Sequence, residues 1–105
     1  MALGDMMKML QQAQQMQGKL QQIQEELTHM TVTGSAGGGM VSVQADGKGQ
    51  LRWVKIDPSV VNRDDVEMLE DLVCAAVTDA QNKAAELAQG EMSKLTGGLD
   101  LKLPF

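Results

Sequence analysis

The stretch GSAGGGMVSVQADGKGQ, Gly34 to Gln50, gathers six of the chain's eleven glycines around one lysine, Lys48. Glycine-rich loops next to a lysine hold phosphates when their backbone N–H groups open into a helix N-terminus. A dinucleotide fingerprint needs G-x-G-x-x-G leading into that helix. Here Gly37-Gly38-Gly39 runs into Met40-Val41-Ser42, which alternates like a strand. A P-loop needs Gly-Lys-Ser/Thr, and Lys48 is followed by Gly49. The glycines therefore read as the turns of a small sheet.

The other reactive side chains lack partners in the sequence. His29 is the only histidine, with no Cys or His at ligand spacing, so no metal site is expected. Cys74 has neither a base nor an orienting group assigned to it, and beside Val73 it reads as a half-buried thiol rather than a nucleophile. Asp64, Asp65, Glu67, Glu70 and Asp71 could be taken for a divalent-metal cluster, but acids at the start of a helix are favoured there by its dipole. Asp46-Gly47-Lys48-Gly49 lacks the remainder of an EF-hand loop. One tryptophan, Trp53, is too little for an aromatic RNA-binding platform. The reading is a non-enzyme with no cofactor and no metal.

The elements that carry these residues follow from periodicity. Met6, Met9, Ala13, Met16, Leu20, Ile23, Leu27 and Met30 recur at intervals of three and four, the seam of a helix packed on another helix. At 1.5 Å per residue this helix is on the order of 37 Å long, more than a small domain can cover, so a second subunit or a helix running into solvent is implied. Gly18 is its one weak position. Strand character appears at His29–Thr33, Met40–Ala45 and Leu51–Ile56. Val41, Val43 and Ala45 alternate with Ser42 and Gln44, whereas Val54 and Ile56 oppose Leu51 and Trp53. The faces of Val43 and of Trp53 are both open as the surface between subunits. Asp46-Gly47 suggests a two-residue type I′ hairpin, and Asp57-Pro58 closes the sheet. Asn62 is the expected N-cap of a second helix, with Val66, Leu69, Val73, Ala76 and Ala80 as its apolar stripe, weakening through Ala84 and Leu87. Gly97-Gly98 ends it, and residues 97–105 are expected to form a flexible C-terminal tail. The fold class is α+β: an α-β-β-β-α protomer with a three-stranded antiparallel sheet and two long helices, one domain over residues 1–96.

Composition narrows the setting. Aromatics make up 2% of the chain and nine residues are methionine, so the core is aliphatic and adaptable. One cysteine permits no intrachain disulfide, which suits a reducing compartment. Neither a signal peptide nor a membrane span is read from MALGDMMKML or from the Gly-, Ser- and Thr-rich stretch Leu27 to Ala45. A cytoplasmic protein is expected.

The order of motifs resembles a known family. MMKMLQQAQQMQGKLQQIQEEL runs into TVTGSAGGGMVSVQADGKG, VKIDPSVV precedes DDVEMLEDLVCAAVTDAQNKA, and a GG…LPF tail follows. This is similar to the YbaB/EbfC family of bacterial nucleoid-associated proteins over nearly the whole chain. The most specific pieces are the Gln/Met helix entering VTG, Ile56–Ser59 (IDPS) and Met68–Ala80. The resemblance implies a homodimer whose sheets meet at the centre and whose helices project as tweezer arms. It also implies duplex DNA as the partner, a change in DNA conformation, roles in nucleoid organisation and gene regulation, and no enzymatic activity.

A net charge of −5 makes the location of the cations decisive. Lys8 and Lys19 outnumber Asp5 in the first twenty residues, and from Lys83 onward Lys83, Lys94 and Lys102 balance Glu86, Glu91 and Asp100. Lys8, Gln12, Gln15 and Lys19, spaced four, three and four, form one line with Gln11 and Gln22 beside it. Lysines on such a line meet phosphates and glutamines pair with adenine. The expected DNA-binding residues are Lys8, Gln11, Gln12, Gln15, Lys19, Lys83 and Lys94, with weak, largely non-specific binding. The expected dimer and core residues are Met9, Met16, Leu20, Ile23, Leu27, Val41, Val43, Val54 and Ile56. An alternative of another class is a protein-interaction module that docks DNA-metabolism proteins through the same helices.

Overall fold

Gln, Lys and Glu between the seam positions are good helix formers that stay wet. In the computed structural model, which describes residues 2–96, they form α1, Leu3–His29, 27 residues long. The expected helix stop at Gly97-Gly98 and the expected tail at 97–105 lie outside the described residues. α1 stops where Thr31, Val32 and Thr33 begin a β-branched run. At that point the Met30 N–H still reaches the carbonyls of Glu26 and Leu27, at 3.1 and 3.3 Å.

Three antiparallel strands follow in chain order: β1 (Thr31–Ala36), β2 (Val41–Asp46) and β3 (Leu51–Ile56). The third has the bounds read from the sequence. The first starts later than expected, because α1 retains His29 and Met30 caps it, and it continues through Gly34 to Ala36. Gly37, Gly38 and Gly39, all with positive φ, turn β1 into β2, and no helix opens behind them. The phosphate-loop geometry is therefore absent from this turn.

The second turn departs from expectation. Asp46-Gly47 does not close a two-residue loop; the left-handed conformation falls on Gly49 (φ 88). Asp46 is the cause, since its Oδ1 accepts the N–H groups of Lys48 at 2.9 Å and Gln50 at 3.0 Å and wraps the chain around the carboxylate. A register shift between Gln44 and Ala45 then sets Leu51 opposite Ala45, while Trp53 faces Gln44. Leu51 thus sides with Val54 and Ile56, not with Trp53.

After a 3-10 turn at Pro58–Val60, α2 spans Val66–Thr96. Its cap is Asp65, whose Oδ1 accepts the Met68 N–H at 3.2 Å. Asn62, the expected cap, instead accepts the Asp64 N–H at 3.0 Å and shapes the preceding turn. α2 lies across β1 and β2, burying Val41, Val43 and Ala45 beneath Ala76 and Ala80, with Val60 alongside. It also closes the outer edge of β1. Asp79 accepts the Ser35 N–H at 3.0 Å, and Lys83 Nζ donates to the Thr33 carbonyl at 3.0 Å.

The radius of gyration is 20.3 Å and the longest dimension 74 Å, against about 13 Å for the radius of a compact chain of this size. The excess comes from the two long helices, α1 of 27 residues and α2 of 31, which outrun strands of six residues each. On α1, Gly18 has nothing within 4 Å of an added Cβ. Gly18→Ala should therefore stabilise α1 locally by about 1 kcal/mol, slowing amide exchange around residue 18 by about fivefold. Unchanged exchange would mean the arm's helicity is set by something other than its own propensity.

Candidate nucleic-acid interface

α1 is buried by its own protomer only near its C-terminal end. Ile23 and Leu27 are buried and Leu20 is half-buried, while every residue from Ala2 to Lys19 is exposed. Met9 and Met16 therefore stand outside the protomer's core, at 60% and 36% exposure. Val54 and Ile56 also lie outside it, because α2 covers β1 and β2 and leaves β3 as the uncovered edge. Val41 and Val43 are fully buried.

The line read from the sequence lies on this uncovered rod. Lys8, Gln11, Gln12, Gln15 and Lys19 are all exposed. Gln12, Gln15 and Lys19 border a groove shared with Met16 and with Leu95 of α2. Further toward the body a second groove brings Lys19, Gln22, Ile23 and Glu26 beside Glu91, Lys94 and Leu95. The end of α2 thus runs along α1, and Lys19 and Lys94 flank one groove. Gln22 Nε2 donates to Glu26 Oε1 at 3.3 Å.

The four lysines are not equivalent. Lys83 Nζ lies 3.2 Å from Asp79 Oδ2 besides its bond to Thr33, so it serves the sheet edge. Asp79 is held below the usual carboxylate range, first by the Ser35 N–H and then by Lys83. Lys94 Nζ pairs with Glu91 at 3.1 Å but stays largely exposed. Lys8 and Lys19 carry no ion pair among the described residues. A rod of helix with free lysines and amides along one side has the dimensions and chemistry to lie against a duplex groove about 12 Å wide.

Asp46, a turn residue by its sequence, is the one buried charged side chain among the described residues. Its Oδ2 lies 3.3 Å from Arg52 Nη2, which also donates to the Thr28 carbonyl at the end of α1, at 3.2 Å. Gly47 N–H donates to the Leu27 carbonyl at 2.8 Å and to that of Met30 at 3.1 Å. Burial alone would raise the Asp46 pKa. The N–H groups of Gln50 and Lys48 and the charges of Arg52 and Lys48 outweigh it and hold the carboxyl below its ordinary value. An Asp-Gly turn with an arginine just beyond it in the next strand is the only trace of this cluster in the sequence.

Cys74 is exposed on α2, not half-buried, since it falls off the stripe that meets the sheet. Among the described residues no group of His, Cys, Asp or Glu is arranged to hold a metal ion. No helix among them is long and apolar enough to cross a membrane.

Known proteins match along nearly the full length. A nucleoid-associated protein of Gemmatimonas aurantiaca is 53% identical over 103 residues, covering 96% of this chain and 99% of that protein. A second, from Desulfotalea psychrophila, is 50% identical over 97 residues and 92% of each chain. Among solved structures, an uncharacterized protein from Helicobacter pylori aligns with a TM-score of 0.64 at 28% identity, over 74% of this chain and 90% of that one. The model of the YbaB/EbfC DNA-binding family matches residues 1–99, and the chain belongs to that family.

Proposed function

We propose that the chain binds duplex DNA as a homodimer, with residues 1–96 as the DNA-binding and dimerisation unit, and that it alters DNA conformation in the nucleoid of the bacterial cytoplasm, with effects on gene expression. The observation that carries this reading is the uncovered length of α1, from Leu3 to Lys19, bearing Lys8, Gln11, Gln12, Gln15 and Lys19. Nothing in its own protomer buries this stretch. Lys94, flanking the same groove as Lys19, extends the cationic side onto α2. Lys83 contributes only indirectly in this reading, by fixing α2 to β1. Naming of the relatives as nucleoid-associated proteins supports the location.

The homodimer is supported by an asymmetry of the sheet. The β1 edge is closed by Asp79 and Lys83, whereas β3 at the other edge exposes Leu51, Val54 and Ile56 on the side of the core. An apolar strip at an open sheet edge draws a partner strand or face. A second copy offers the same strip, as a two-fold interface requires.

If Lys8 and Lys19 of both subunits each neutralise one phosphate, log K should fall against log salt with a slope of about −4. A titration of random duplex by gel shift at several salt concentrations checks this. Replacing Lys8 and Lys19 together by Glu should weaken binding at least about tenfold at low salt and flatten the slope, with the dimer intact. An unchanged affinity would remove the α1 line as the contact. No shift by the native protein at low salt would favour the protein-docking alternative.

A further inference from the structure

α1 is a lever held at one end. Beyond Leu20 nothing in its own protomer buries it; the end of α2 borders it at Leu95, and the buried contacts that fix its base lie near residues 23–30. Two of these contacts are apolar, Ile23 and Leu27. The polar ones converge on the β2–β3 turn. Gly47 N–H holds the Leu27 and Met30 carbonyls, and Arg52 Nη2 bridges the Thr28 carbonyl to Asp46 Oδ2. Asp46 is fully buried and its other oxygen holds two backbone N–H groups, so it cannot move without unwinding the turn. The guanidinium is therefore a strut with one fixed end.

We propose that Asp46 and Arg52 act as positioning residues for DNA binding: the strut from the turn to Thr28 sets the angle at which α1 leaves the body, and with it the span offered to the duplex. This rests on the DNA-binding reading above. Leverage makes the angle matter. A swing of about 10° at the base moves the tip of a 27-residue helix by about 7 Å, twice the 3.4 Å rise between successive phosphates of one strand. Two arms that must meet one duplex together lose binding steeply when their spacing wanders.

The test measures the angle and the binding separately. Spin labels are placed on the native, exposed Cys74 of α2 and on Gln14→Cys, an exposed position on α1, in protein diluted with unlabelled chains. The native protein should give one narrow distance distribution. Arg52→Met, which keeps the stem and removes the strut, should broaden it and weaken duplex binding on the order of tenfold, with mass and helicity unchanged. Arg52→Lys, able to reach one partner at a time, should lie between. Asp46→Asn, which keeps one acceptor oxygen for the turn, should broaden it as well. Narrow distributions in both Arg52→Met and Asp46→Asn would overturn the strut. Broadened distributions with native DNA affinity would overturn the link from arm angle to binding. Failure of the native protein to bind duplex refutes the DNA reading instead, and leaves the distance result to decide the strut.

Discussion

Gly34→Ala is expected to lower the melting temperature by about 15 °C, out of proportion to one methyl group. An added Cβ would stand 2.6 Å from the Ala76 carbonyl oxygen and 2.7 Å from Ala80 Cα, and closer still to the Ala80 nitrogen. All three are backbone atoms of α2, so no rotamer change relieves the clash; the helix must lift from β1. Lifting opens the layer over Val41, Val43 and Ala45 and pulls Asp79 and Lys83 from the strand edge they close. Overpacking of this kind costs about 3 kcal/mol, a large share of the stability of a small domain. Thermal unfolding followed by circular dichroism at fixed concentration reads it directly. A melting temperature within about 2 °C of native would show that the helix rides over the strand without loss, and that Ala76 and Ala80 are small for another reason. Gly18→Ala is the control in the opposite direction, since that glycine has open space around it.

Gly34 also marks where sequence reading ends. In the sequence it is one glycine among six in a turn-rich stretch, indistinguishable from Gly38. What sets it apart is a helix from far along the chain resting on it, which no local pattern encodes. Periodic features were legible: the three-four seam ran to Met30, within a residue of the end of α1, and the alternation ending at Asp57-Pro58 gave β3 its bounds. Single polar residues were not. Asp46 has the composition of a turn and serves as a buried anchor, and Lys83 looks like a free cation but is held on Thr33. The members of the α1 line are all exposed, but so is every residue from Ala2 to Lys19, the seam positions Met9 and Met16 included, so helical phase alone does not single the line out. Whether a cation is free or engaged depends on long-range contacts, which is why Lys8 and Lys83 carry the same letter and differ in surroundings.

The second large effect separates two valines that sit opposite each other in the β2–β3 ladder, Val43 and Val54. Val43 is fully buried under α2, and Val54 is 42% exposed on the uncovered edge strand. Val43→Asp places an unpaired charge in the protomer's only core cluster among the described residues, at a cost of about 3–5 kcal/mol, and should abolish cooperative folding. Val54→Asp in a lone protomer is a surface change worth about 0.5 kcal/mol. In a two-fold dimer built on the β3 strip the same substitution appears twice at the contact, and two facing carboxylates cannot both be desolvated. The expected product is a folded protomer of half the native mass in sedimentation equilibrium, with helical circular dichroism retained and duplex affinity lost along with the second arm. A Val54→Asp protein that remains dimeric would put the subunit contact elsewhere, with the face of half-buried Trp53 and exposed Lys55 as the next surface to test. The pair of substitutions therefore distinguishes what holds one chain together from what holds two, using positions that differ in little but the reach of α2.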